Sequence, residues 1–192
     1  TGRPMSALGD TLRALARVLD GEQLRWFVFG AQAVAIRGAP RATQDVDVTA
    51  DIPRPRLQAV LAALEVEGMK HRYPDIADEI LATGSVIPLI HPSGMEVDLV
   101  LAGAGLEMLA LSRATRVAIE GVSIPVAHAT DLVVMKVLAG RGKDLDDVRA
   151  LLVKGEADTA EALDLLSQLE EALGQSDLVP ALRAAIDEVE GR

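Results

Sequence analysis

From Ser6 to Leu19 the apolar residues Leu8, Leu12, Leu15, Val18 and Leu19 recur at helical spacing, one stripe of an amphipathic helix. Arg25 to Phe29 is a short apolar run that stops at Gly30, the pattern of a buried strand. Ala31 to Arg37 reads as a short helix, broken by Gly38-Ala39-Pro40. Gln44 to Thr49 then alternates polar and apolar as a half-buried strand does, and Pro53 and Pro55 open a helix that reaches about Glu67. The middle of the chain reads as β-rich, with strands expected at Glu79 to Ala82, Val86 to Ile90 and Met95 to Leu101 and a turn at His91-Pro92-Ser93-Gly94. Leu106 to Ser112 reads as a helix, and Val117 to Ile119 pairs with Ser123 to Val126 around Glu120-Gly121.

From Thr130 the period changes to helical throughout. Thr130 is expected to cap a helix that Gly140 ends, and Lys143 to Val153, Ala160 to Leu173 and Leu178 to Val189 continue as helices. The pattern predicts an α/β domain over residues 1–128 and a small helical lobe over 129–192.

At 192 residues, 49% of them hydrophobic and only 2% aromatic, the chain can bury a sizeable core of Ala, Leu, Val and Ile. The absence of cysteine excludes disulfides and thiolate zinc sites and fits a reducing cytosol. His71, His91 and His128 show no ligand spacing. No apolar stretch approaches the roughly 18 residues of a membrane span, and no secretory signal is visible, so a soluble, cytoplasmic protein is expected. A net charge of −10 works against indiscriminate nucleic-acid binding, although Arg37, Arg41, Arg54, Arg56, Lys70 and Arg72 gather around one acidic pair, and Lys136, Arg141 and Lys143 form a second basic group.

That acidic pair is Asp45-Val46-Asp47. On a strand, residues i and i+2 share a face, so both carboxylates aim together while Val46 and Val48 point into the core. Two like charges held side by side are costly unless something positive lies between them, and an oxygen-only donor set suits magnesium. Glu96-Val97-Asp98 offers a second outward pair on a strand that can lie beside the first, with Asp98 completing a three-carboxylate site. Gly30 permits a close approach of backbone amides to a phosphate.

Taken together, strand, Gly30, helix, Arg41-Ala-Thr-Gln-Asp45-Val-Asp47 and a later Asp98 resemble the nucleotidyltransferase superfamily related to DNA polymerase β. Asp131 to Lys136, followed by Arg141-Gly-Lys143-Asp144-Leu-Asp146-Asp147-Val, is similar to its AbiEii branch, toxins of bacterial type IV toxin–antitoxin systems. The resemblance covers about Trp26 to Leu151, and departs from the usual Gly-Ser or Gly-Gly in having Gly30-Ala31.

The resemblance implies a mixed, partly antiparallel sheet flanked by helices, and a metal-dependent transfer of a nucleoside monophosphate from a nucleoside triphosphate to a hydroxyl. Asp45, Asp47 and Asp98 would hold two magnesium ions, with Asp98 also taking the acceptor's proton. Gly30, Ala31 and Arg41 would meet the phosphates, and Lys136 would neutralise leaving pyrophosphate. Lys143, Asp144 and Asp147 are candidates for contacting nucleotide or acceptor. An RNA or tRNA acceptor and a cognate antitoxin follow from the toxin branch. The acidic balance favours instead a small cationic acceptor such as an aminoglycoside. A nucleotidyltransferase-fold antitoxin acting as a binding module is the non-enzymatic alternative.

Overall fold

The computed structural model describes residues 6–38 and 43–191. They are α-helical and β-stranded in alternation, and fall into two compact units: residues 6–32 with 43–126, and residues 33–38 with 127–191.

The first unit is built on a seven-stranded mixed sheet. Its strands are β1 (Trp26–Phe29), β2 (Asp45–Ala50), β3 (Lys70–His71), β4 (Val86–Ile90), β5 (Glu96–Leu101), β6 (Thr115–Ile119) and β7 (Val122–Val126), in the order β3-β4-β5-β2-β1-β7-β6. β2 runs parallel to β5, and β1 parallel to β7; the remaining pairs are antiparallel. One face of the central strands is wholly apolar. Trp26, Val28, Val46, Val48, Ala50, Val97, Leu99, Ile87 and Leu89 are all buried there. Along β2 each buried valine alternates with a carboxylate, which is the period-2 pattern of the sequence made visible.

Helix α1 (Ala7–Gly21) starts at Ser6, whose hydroxyl accepts from the Gly9 amide, and buries Leu12, Leu15, Val18 and Leu19. Near its end Asp20 accepts from Trp26 Nε1 at 2.8 Å and from Arg116 Nη2 at 2.6 Å, tying the helix to β1 and β6. Partial burial pushes the Asp20 carboxyl up, but these two donors outweigh it and hold the group below its ordinary value. Helices α3 (Leu57–Val66) and α5 (Leu106–Arg113) complete the unit with α4 (Ala77–Thr83).

Residues 79–82 are not a strand: they form the body of α4. Pro74-Asp75-Ile76 wind one tight turn that leads into it, Asp78 and Glu79 lie in its first turn, and Thr83 Oγ1 and Gly84 N bond back to Glu79 O and Ile80 O. Glu, Leu and Ala are good helix formers, and four residues are too few for periodicity to separate strand from helix. β3, unforeseen, is two polar residues at the sheet edge.

The second unit packs α6 (Ala129–Ala139), α7 (Gly142–Lys154), α8 (Thr159–Leu173) and α9 (Leu178–Glu190) around Leu132, Val133, Val148, Leu151, Leu166 and Leu182. His128, not Thr130, caps α6 through its imidazole; the Thr130 hydroxyl instead accepts from the Asp158 amide at 2.9 Å. α2 (Gly30–Ile36) follows β1 directly. No helix among the described residues is long and apolar enough to cross a membrane.

Candidate active site

The parallel register of β2 and β5 sets Asp45 opposite Glu96 and Asp47 opposite Asp98. Partners in a parallel pair point to the same side, so four carboxylates form a ledge on the face opposite the valine core. The same row continues through Phe29 of β1, which pairs with Asp47.

Gly30 comes immediately after Phe29 with φ of +67°, a left-handed conformation that glycine adopts without strain. A Cβ at this position would lie 1.9 Å from Asp47 Oδ2. Glycine is therefore required twice over, by the backbone turn and by the carboxylate lying against its Cα. Ala31, next in α2, is buried.

The four acids do not share one environment. Asp45 is exposed and accepts a short hydrogen bond from Thr43 Oγ1. Asp98 accepts from Arg72 Nη2 at 2.5 Å, and the other arm of that guanidinium, Nη1, reaches Glu96 at 2.8 Å. The Asp98 side chain remains 36% exposed, so the clasp lies at the surface of the ledge. The backbone register thus sets Asp47 opposite Asp98 and Asp45 opposite Glu96, while Arg72 draws the Asp98 carboxylate to itself. Among the described residues no three acids or histidines stand ready to hold a metal as they are. The donor set itself fits a hard divalent ion: oxygen ligands only, adjacent on one face, with room made by the missing side chain at Gly30. Arg72 was not among the residues singled out for the site by sequence; a cation just beyond the two-residue edge strand Lys70–His71 was the available signal.

The second unit carries its own ionic group. Lys136 Nζ lies 3.0 Å from Asp144 Oδ1 and 2.8 Å from Asp147 Oδ2, and its side chain is only 8% exposed. Arg141 Nε donates to Asp144 Oδ2 at 2.6 Å, and the Arg141 amide donates to the same oxygen, closing the first turn of α7. Burial pushes the Asp144 carboxyl up, yet hydrogen bonds from Arg141 and Lys136 overcome it and lower the group to about 2. The Lys136 ammonium, expected to neutralise leaving pyrophosphate, is held here between two buried carboxylates. Asp144 and Asp147 likewise face Lys136, whereas Lys143 is exposed at the start of α7. Arg41 lies outside the described residues.

Against solved structures the architecture is shared with the antibiotic-resistance factor ANT(2'')-Ia, at 14% identity and a TM-score of 0.59 over 88% of this chain and 95% of that one. The chain has the nucleotidyltransferase fold of that structure. Weaker similarity extends to the lincosamide antibiotic adenylyltransferase LnuA with lincomycin bound (15% identity, TM-score 0.48, 73% of this chain and 94% of that one). A nucleotidyltransferase-like antigenic protein from Paracoccidioides brasiliensis overlaps 99% of this chain and 100% of its own at 19% identity and a TM-score of 0.45. No protein-family model and no curated protein matches the chain.

Proposed function

We propose that the protein is a magnesium-dependent nucleotidyltransferase that moves a nucleoside monophosphate from a nucleoside triphosphate to a hydroxyl on RNA or tRNA, as the toxin of an AbiEii-type pair with a cognate antitoxin. The observation that carries the transferase reading is the register Asp45–Glu96 and Asp47–Asp98 beside Gly30, within a nucleotidyltransferase fold. The toxin assignment rests on the run from Asp131 to Asp147 in the sequence.

Asp45, Asp47 and Asp98 would hold the metal. Bound there, magnesium supplies Lewis-acid stabilisation of charge on the attacking and leaving oxygens. Asp98 takes the proton of the acceptor hydroxyl on Oδ2, the oxygen opposite the one held by Arg72. Gly30 and Ala31 present backbone amides to the triphosphate, and Arg41 meets the same phosphates. Lys143 is the exposed cation assigned to nucleotide or acceptor. For Lys136 with Asp144 and Asp147 we assign a positioning role, because their charges are already spent on one another.

A second reading keeps the chemistry and changes the acceptor. A chain of net charge −10 with a four-carboxylate ledge attracts small polycations, and an aminoglycoside is such a molecule. The shared architecture with an antibiotic-resistance factor supports it. Incubation with each labelled nucleoside triphosphate, magnesium and either total RNA or an aminoglycoside panel separates the two. Label on RNA that disappears in Asp47→Ala is the expected result. Label on the aminoglycoside alone replaces the acceptor, and no label on any acceptor with any nucleotide removes the transferase reading.

A further inference from the structure

Arg72 follows β3 at the sheet edge, and its amide donates to Pro88 O at 2.9 Å. Pro88 pairs with Asp98 and Asp98 with Asp47, so Arg72 begins the very row that ends at the acidic ledge. Its side chain spans β4 and grips two residues of β5 at once: Nη1 on Glu96 Oε2 at 2.8 Å, Nη2 on Asp98 Oδ1 at 2.5 Å. Nη2 also lies 3.5 Å from Val97 O. The guanidinium thus carries an ion pair to each of these two carboxylates.

Two features make this clasp a resting state rather than a permanent tie. Nε of Arg72 is buried and has no hydrogen-bond partner among the described residues, so the guanidinium is held with one donor unmet. One positive charge also faces two negative ones, Glu96 and Asp98, leaving this pair with a residual attraction for a further cation. A divalent ion brings twice the charge of a guanidinium and would compete with Nη2 for the Asp98 carboxylate.

We propose that Arg72 is a built-in counter-charge for Glu96 and Asp98, and that an entering divalent ion takes Asp98 from it while Nη1 stays anchored on Glu96. This rests on the metal-dependent reading above and adds to it a residue with a defined duty. The clasp keeps adjacent acids from repelling one another in the metal-free protein. It lowers apparent metal affinity by the fraction of molecules in which Asp98 is held. Arg72 is thus a positioning residue that acts through Asp98, and the Tyr73 ring 5.8 Å from its Cζ offers the guanidinium a second surface to rest against.

The test is calorimetric titration of Mn2+ into the metal-free full chain, without nucleotide, for the wild type, Arg72→Ala, Arg72→Lys and Asp47→Ala. Arg72→Ala is expected to bind Mn2+ about tenfold more tightly, the worth of one charge-assisted hydrogen bond no longer competing. Arg72→Lys keeps the charge but cannot hold two acids with one planar fork, and should fall between the two. Metal-free Arg72→Ala should melt below the wild type and recover with Mn2+. If Arg72→Ala does not fold, Arg72→Lys decides. Equal or weaker Mn2+ binding in the folded variant overturns the hand-over and leaves the metal site standing. No binding in any variant, or undiminished binding in Asp47→Ala, removes the metal site and the hand-over together.

Discussion

Gly30 is the residue on which the site's geometry turns. Its φ of +67° and the 1.9 Å approach of a Cβ to Asp47 Oδ2 are separate penalties, one in the backbone and one against a charged side chain. Gly30→Ala should therefore cost about 1–3 kcal/mol from the left-handed backbone alone, with the Asp47 carboxylate displaced as well. Urea denaturation reads the first effect and nucleotide turnover the second; a variant as stable and as active as the wild type would mean the turn relaxes freely. Asp47→Ala should behave oppositely. Removing one of four neighbouring like charges relieves repulsion, so turnover disappears while the melting temperature in metal-free buffer stays level or rises. A clear fall in that temperature would show that Asp47 serves the fold before it serves chemistry.

At the scale of elements, the corner between α6 and α7 is held by charge. Gly140 ends α6 in a left-handed conformation, and within four residues Arg141 and Asp144 close the cap of the next helix while Lys136 reaches forward to Asp144 and Asp147. Breaking such a buried group is costlier than never having it, because the orphaned charges stay out of water. Lys136→Met should destabilise by about 3–5 kcal/mol, whereas the exposed Lys143→Met should leave stability unchanged; equal effects in thermal melts would contradict the burial assigned to Lys136. Acid exposes the same group from the other side. With its folded value lowered to about 2, Asp144 adds stability that is complete above its ordinary carboxylate range and lost as pH falls toward 2. The loss is about 2 kcal/mol, and Asp144→Asn should flatten the fall in melting temperature between pH 5 and pH 2. These pairings also mark where sequence was legible. The alternation Asp45-Val46-Asp47-Val48 fixed which residues face the core, and the helical run after Thr130 was evident from its period. Glu79 to Ala82 was not, because four apolar and acidic residues satisfy either geometry until the Pro74 turn sets the direction. The partner of Lys136 was not legible either, since a lysine one turn from a helix end reads as exposed until α7 folds over it. Nor did the spacing show that Arg72 would hold Asp98, because β3 is only two residues long.

For the molecule as a whole, the charge balance and the ledge make the same demand. A net charge of −10 places the protein in a cloud of cations, and four of its acids are fixed in two cross-strand pairs, with the Arg72 guanidinium on Glu96 and Asp98. General attraction of cations to an acidic surface is weak, screened by salt and indifferent to any one residue. Binding at the ledge is local and should depend on Asp47. A ligand that binds only the folded state stabilises it by mass action, by about 2.7 kcal/mol at a hundredfold excess over its dissociation constant. For a chain of this length, each kcal/mol moves the melting temperature by about 2–4 °C. Saturating Mg2+ should then raise the transition of the sheet-bearing unit by about 5–10 °C, an excess of EDTA should return it, and 150 mM NaCl should leave most of the rise intact. Asp47→Ala should abolish it. A rise of the same size in Asp47→Ala, or one that vanishes in salt, would assign magnesium to the diffuse acidic surface and leave the paired aspartates without their ion.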